Sequence, residues 1–133
     1  MIDFSETSPD DFLAALRRGA SHVWSVEAAV WLLEHHGVWL HDPRLRPYVD
    51  GGVEEDGTVW AGLPFRRVGD ALEAGAFGEW NEDIAVLRII LSLWGHYPIS
   101  LRYTGEYLTE ANLTLVAKAL FLANGYAEPH HLP

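Results

Sequence analysis

The sequence predicts a mainly helical domain with a minor β component: a compact bundle of about five helices, a short hairpin near residues 50–62 and an extended segment near residues 97–103. Four stretches with helical periodicity end at glycines, and a composition of 49% hydrophobic and 21% charged residues is typical of a globular chain. With 133 residues and no long linker, we expect residues 1–133 to form one domain around one core. Disorder is expected only in the tails, residues 1–7 and 128–133.

The first two helices are predicted from caps and spacing. A capping serine, a first-turn proline and two acids at residues 8–11 favour a helix that runs to about Arg18 and stops at Gly19. Apolar residues at a spacing of three to four predict a second helix over residues 23–36. Gly37 follows, in the position where a left-handed residue commonly ends a helix.

The middle of the chain changes character. Asp42-Pro43 indicates a cap and first-turn proline that open a short turn. Glycine-rich turn signals at residues 50–52 and 56–57, followed by a β-prone run at residues 58–60, predict the hairpin. A short helix is expected over residues 66–74, ending at Gly75.

Two longer helices complete the prediction, over residues 81–94 and 110–124. Thr109 is the expected cap of the second, and its inward residues are expected to be Leu113, Val116, Ala117 and Leu120. Between the two helices, residues 98–103 alternate in polarity and predict a strand or an extended connection.

Three segments resemble small uncharacterised proteins of actinomycete bacteria. They are residues 28–33 with 36–40 (AAVWLL and HGVWL), residues 86–89 with 98–101 (VLRI and PISL), and residues 108–113 with 115–116 and Gly125 (LTEANL and LV). The resemblance implies a bacterial source and no particular activity.

Net charge and cysteine content limit the function classes. The formal net charge is −10 and there are no cysteines, which excludes disulfide scaffolds, thiolate zinc sites and cysteine nucleophiles. So acidic a chain is repelled by phosphate backbones and anionic membranes, and we expect no direct nucleic-acid or membrane binding. Residues 1–11 lack the basic start and apolar stretch of a secretory signal, so the cytoplasm is the expected location.

The densest polar segment, residues 34–42, suggests a metal site. Its candidate ligands are Glu34, His35, His36, His41 and Asp42. Adjacent histidines point about 100° apart on a helix, however, and histidines at a helix end are also favoured by the helix dipole. The acidic turn at residues 50–56 places glycines and a valine where an EF-hand needs oxygen ligands.

Other catalytic arrangements are weaker. A hydrolytic site could be formed by the acids Glu79, Glu82 and Asp83 with His96 as a base. Acids are common in a first helical turn, however, because the helix dipole favours them there. Lys118 is expected to be a surface charge. With no phosphate-binding loop or nucleophile elbow, the sequence favours a protein that is not an enzyme and has no cofactor.

Six tryptophans are more than one small core readily hides. Trp24 and Trp31, seven residues apart, share a helix face, and Trp39 lies past the glycine stop at Gly37. A tryptophan-rich core and an aromatic contact face both remain open; for the second, Trp24, Trp31, Trp39 and Trp60 are the candidates.

The leading hypothesis is a non-enzymatic interaction or regulatory module that binds another protein or itself through an acidic, aromatic-rich surface. One variant is an acidic antitoxin, an immunity protein or a nucleic-acid mimic that neutralises a basic partner. The alternative of a different class is a metal-assisted enzyme built on residues 34–42.

Overall fold

The computed structural model describes residues 2–132 and confirms the mainly helical fold class. This part of the chain contains seven α-helices, a two-stranded antiparallel hairpin and a single 3-10 turn at Arg46–Tyr48. The elements are α1 (Pro9–Ala20), α2 (Trp24–His36), α3 (Val38–His41), β1 (Asp50–Val53), β2 (Val59–Gly62), α4 (Phe65–Glu73), α5 (Glu82–Trp94), α6 (Leu101–Gly105) and α7 (Glu110–Ala123).

Local caps start three of the helices, and the caps of α1 and α7 are those that the sequence predicts. The side chains of Ser8, Asn81 and Thr109 each accept a hydrogen bond from the backbone N–H three residues later, at the first turns of α1, α5 and α7. Gly37 ends α2 with a positive φ of 84°. The N-cap position of α2 is Val23, which offers no side-chain acceptor.

Gly19 does not stop α1, contrary to the prediction. The helix continues to Ala20, and a Cβ at Gly19 would lie 2.0 Å from the carbonyl oxygen of Ala61 on β2. The glycine is therefore needed because α1 and the hairpin approach each other closely. Arg18 adds a hydrogen bond from Nε to the carbonyl oxygen of Val59.

The prediction of an extended segment near residues 97–103 is partly wrong. Ser100 accepts a hydrogen bond from the backbone N–H of Tyr103, and the chain turns into the five-residue helix α6. The alternation of polarity is real, but a local cap outweighs it because no neighbouring strand is present within residues 2–132 to pair with an extended segment.

Two helices form the centre of the molecule. α2 packs against α1, α5 and α7, while α5 buries nearly its whole apolar length, from Ile84 to Leu91, apart from the half-buried Arg88. Both are rich in apolar residues, which suits central helices.

A buried arginine fixes the N-terminal segment, for which disorder was expected over residues 1–7. Arg46 is 6% exposed, and its guanidinium donates to the carbonyl oxygens of Phe4 at 2.9 Å, Thr7 at 2.7 Å and Leu40 at 3.1 Å. Phe4 itself is buried. Residues 2–7 are therefore part of the fold; Met1 lies outside the described residues.

The other expected tail lies against α7. Lys118 reaches Glu128 at 3.1 Å, with its side chain only 16% exposed, and Pro129 is buried. Lys118 is thus a paired, largely covered charge rather than the exposed one expected. Of the tail at residues 128–133, Pro133 lies outside the described residues.

Candidate interaction surface

Helix α7 is apolar around most of its circumference. Among its 14 residues only Glu110 and Lys118 carry charge. Its side toward α2 is buried through Val116 and Ala119. A helix that is apolar all round is normally covered on all sides, and α7 is not.

The inward stripe predicted for α7 is wrong for two of its four residues. Val116 is buried as predicted and Ala117 is half-buried, but Leu113 and Leu120 are 54% and 46% exposed. Phe121, next to Leu120, is 39% exposed. At 100° per residue, Leu113, Ala117, Leu120 and Phe121 share one side of the helix, and that side faces solvent.

The exposed side continues past the end of the helix. Gly125 has a positive φ of 83°, which turns the chain so that Tyr126 lies beside Phe121, with 6.3 Å between ring centroids. The indole of Trp24 covers Gly125 closely, since a Cβ there would lie 2.6 Å from Cζ3 of the ring. Trp24 and Tyr126 are 62% and 66% exposed.

We call these side chains together the α7 face. It consists of Leu113, Ala117, Leu120, Phe121, Tyr126 and Trp24. Two shallow clefts of about 320 and 330 Å³ meet at Tyr126, one toward Phe121 and one toward Trp24 and Trp31. The surface thus has relief into which a partner's side chains can insert.

The four tryptophans expected to form a contact face are distributed over three places. Trp24 is in the α7 face, and the half-buried Trp31 lines the adjoining cleft, its ring stacked on His35 with centroids 4.1 Å apart. Trp60 is half-buried on β2, in the hairpin that packs on α1.

Trp39 is in the core, and its inclusion in a contact face was wrong. It is 1% exposed, and its Nε1–H donates to the carbonyl oxygen of Asp83 at 2.6 Å. The sequence left open whether the tryptophans are buried in the core or exposed at the surface. Both occur, since the ring of Trp39 is buried and that of Trp24 is exposed.

The proposed metal ligands at residues 34–42 do not converge. No group of three or more histidine, aspartate or glutamate side chains between residues 2 and 132 is placed to hold an ion. Glu34 accepts from Arg17 at 2.8 Å, and His35 Nδ1 lies 2.8 Å from the carbonyl oxygen of Trp31. His35 and Glu34 approach each other to 3.9 Å, but they have no third ligand within the described residues.

His41 and Asp42 contact different partners. His41 Nδ1 lies 2.8 Å from the carbonyl oxygen of Gly37, and Asp42 pairs with Arg44 at 2.7 Å. The Arg44 guanidinium holds the pKa of the Asp42 carboxyl below its usual value. These contacts engage His41 at a helix end and Asp42 in a turn, each with its own partner.

His36 is the unusual member of the segment. Its side chain is 4% exposed, and its Nε2 lies 3.2 Å from Oδ1 of Asp83 on α5. Burial lowers the pKa of His36, although the nearby Asp83 carboxylate acts in the opposite direction. Its Nδ1 is buried and has no hydrogen-bond partner among the described residues, which the neutral tautomer with the proton on Nε2 tolerates best.

The second predicted arrangement, acids with His96 as base, is not assembled either. Asp83 and Glu82 begin α5 whereas His96 follows its end, and 13 residues of helix separate them by roughly 20 Å. Glu82 accepts a hydrogen bond from the backbone N–H of Thr109, and this hydrogen bond lowers its pKa.

His96 instead borders a cleft of about 470 Å³ between α4 and the end of α5. Beside it, the Glu73 carboxylate accepts from Tyr97 at 2.6 Å and from Arg88 at 2.9 Å. Burial, together with the bond to Glu73, raises the pKa of Tyr97 to about 12. A phenol with such a pKa stays protonated at neutral pH, and the network joins α4 to the segment that follows α5.

Comparisons with known proteins give no relative to guide the interpretation. No family model, curated protein or solved structure matches this chain. None of the helices between residues 2 and 132 is long and apolar enough to cross a membrane. The resemblance to actinomycete proteins stays a prediction.

Proposed function

We propose that this chain is a non-enzymatic protein-interaction module and that the α7 face is its contact surface. The observation that carries the proposal is the solvent-facing apolar side of α7, continued by Trp24 and Tyr126. Water contact with these side chains costs free energy that a partner would recover, and tyrosine and tryptophan are enriched among the residues that dominate interface affinity.

The size of the surface supports this function. Trp24, Phe121 and Tyr126 are 62%, 39% and 66% exposed. At roughly 150–250 Å² per aromatic side chain, they leave about 250–400 Å² of ring surface in solvent, before Leu113 and Leu120 are added. The largest apolar patch on a monomer is typically about 300–600 Å², and patches of that size are often functional.

The acidic charge lies mainly outside the α7 face. Of the 19 acids in the chain, those on α7 and in the segment after it are Glu110 and Glu128, and Glu128 is paired with Lys118. The net charge of −10 therefore supports solubility more directly than it supports recognition. An antitoxin, immunity or nucleic-acid-mimic role and a cytoplasmic location stay predictions.

Hydroxyl-radical footprinting of the purified chain and of the chain in extract of its source cells tests the proposal. We expect Trp24, Phe121 and Tyr126 to be oxidised several-fold more slowly when a partner covers the α7 face. Trp60, on the hairpin, is the internal control and should keep its rate. Equal rates for the α7-face residues in dilute solution, concentrated solution and extract would show that the face stays open, and would refute the proposal.

A further inference from the structure

We propose that the partner that covers the α7 face is a second copy of this chain, packed antiparallel across a two-fold axis at Ala117. This inference rests on the proposed function of the α7 face and specifies its occupant. Two-fold dimers are the most common assemblies of identical chains, and they require a surface that is complementary to itself.

The spacing of the α7 face meets that requirement. Leu113 and Phe121 lie four residues on either side of Ala117. In an antiparallel pair centred on Ala117, each Leu113 would therefore face Phe121 of the partner subunit, at both ends of the contact. Ala117 itself is half-buried and carries a single methyl group, which lets the two helix axes approach closely at the centre.

The charges of α7 do not oppose this arrangement. Glu110 and Asn124 lie seven residues on either side of Ala117, so each Glu110 would face a neutral amide and not another carboxylate. Lys118 points away from the side that carries Leu113 and Leu120, and Glu128 already neutralises it at 3.1 Å. Interface centres are depleted of charged residues, as this one is.

The apolar area also fits a dimer. A standard interface buries about 800 Å² on each partner, of which roughly 56–65% is apolar, or about 450–520 Å². The aromatic rings of the α7 face supply about 250–400 Å², and the exposed parts of Leu113 and Leu120 add to it. The apolar area of the face is therefore comparable with the apolar part of one such interface.

Salt separates self-association from binding of a basic partner. Two chains that each carry a net charge of −10 repel each other, and added salt screens that repulsion. A dimer held by the α7 face is therefore strengthened by salt. A complex of this acidic chain with a basic protein is weakened by it.

Sedimentation equilibrium of the full chain over a range of protein and salt concentrations gives the first test. We expect the mass to rise from one chain to two with protein concentration, and at lower protein concentrations when salt is added. A chain that stays monomeric under all these conditions would overturn the inference. If it stays monomeric while footprinting in extract still shows salt-sensitive protection of the α7 face, the proposed function stands with a basic partner instead.

Paired charge substitutions test the register. Leu113→Lys and Phe121→Glu change exposed side chains, so both variants should fold, which thermal melts will verify. Each alone should weaken the dimer about tenfold or more, as truncation of one important interface residue does.

Mixing the two variants should restore association. At one end of the mixed dimer the introduced ammonium group would meet the introduced carboxylate, and at the other end the natural contact of Leu113 with Phe121 would remain. Val53→Lys, on the exposed hairpin, is the matched control and should leave the dimer unchanged. Failure of the mixture to associate would overturn the antiparallel arrangement.

Discussion

The buried imidazole of His36 contacts the Asp83 carboxylate, with 3.2 Å between Nε2 and Oδ1. Beside it, Trp39 donates to the backbone carbonyl oxygen of the same Asp83. These two contacts join the end of α2 and the short helix α3 to the first turn of α5. They hold together the two central helices on which the position of α7 depends.

This contact predicts a pH dependence of stability. Because burial lowers the pKa of His36, the unfolded chain binds its proton at a higher pH than the folded chain does. The contribution of neutral His36 is therefore fully present above its unfolded pKa of about 6.5 and is lost as pH falls through the lower, folded pKa. We expect the free energy of unfolding in urea to decrease between pH 7 and pH 5, by at most about 1.4 kcal/mol per pH unit from this group.

His36→Gln should flatten that dependence, because glutamine can still donate to Asp83 but does not titrate. His130→Gln, at an exposed position, is the control and should leave the slope unchanged. An unchanged slope in His36→Gln would contradict the assignment of this pH dependence to His36.

Arg46 is predicted to be the most sensitive arginine. Arg46→Met keeps much of the side-chain volume but leaves the carbonyl oxygens of Phe4, Thr7 and Leu40 without their donor. Because charged hydrogen bonds are worth about 1.5–3 kcal/mol each and the buried charge is removed with them, we expect a net loss of about 2–4 kcal/mol. Urea unfolding measures it, and the exposed Arg66→Met should change stability by less than about 0.5 kcal/mol.

The contact between Trp24 and Gly125 makes that glycine hard to replace. Gly125→Ala would be strained by a φ of 83° and by the ring 2.6 Å from the new Cβ. Gly75 is the matched control position, since its φ is 81° and no atom lies within 4 Å of where a Cβ would be. We expect Gly75→Ala to cost about 1 kcal/mol, from backbone conformation alone, and Gly125→Ala to cost clearly more.

The Trp24→Ala background isolates the ring contact in this comparison. There, Gly125→Ala should cost about as much as Gly75→Ala in urea unfolding, because only the strain of the backbone is left. Equal costs of the two glycine substitutions in the natural sequence would show that the ring moves aside freely.

The separation of the histidines predicts that metal ions do not stabilise the fold. His36 faces Asp83 and His41 faces the carbonyl of Gly37, so neither can join His35 at one ion without repacking. We expect neither zinc nor a chelator to change the melting temperature. A rise in melting temperature with stoichiometric zinc, lost in His35→Gln, would revive the metal-assisted enzyme.

Helix starts were the most predictable part of the fold. Ser8, Asn81 and Thr109 act on a backbone N–H three residues away, so their effect is contained in the local sequence. The same local physics made residues 101–105 helical through Ser100, where polarity alternation had indicated an extended segment. Gly19 was misread because the residue it contacts, on β2, is far along the chain and local sequence carries no sign of it.

The α7 face could not be oriented from sequence. A helix with apolar residues on every side has no clear stripe, so periodicity placed Leu113 and Leu120 inward when Val116 and Ala119 point there. The sequence does indicate that part of α7 is exposed, because the helix has only two charges in 14 residues. It therefore has more apolar surface than one neighbouring helix can cover.

The tryptophans show the same limit. Seven-residue spacing correctly paired Trp24 with Trp31, since both lie along one cleft. Nothing local indicated that Trp39 would turn into the core, because its hydrogen-bond acceptor, the carbonyl oxygen of Asp83, belongs to a distant helix.

The packing of the Trp24 ring on Gly125 also constrains how this sequence can diverge. A large ring at position 24 is compatible with glycine at position 125, whereas a residue with a side chain there leaves no space for it. Homologous sequences should therefore change the two positions together, keeping Trp with Gly or losing both. Chains that have lost the pair would have a smaller α7 face.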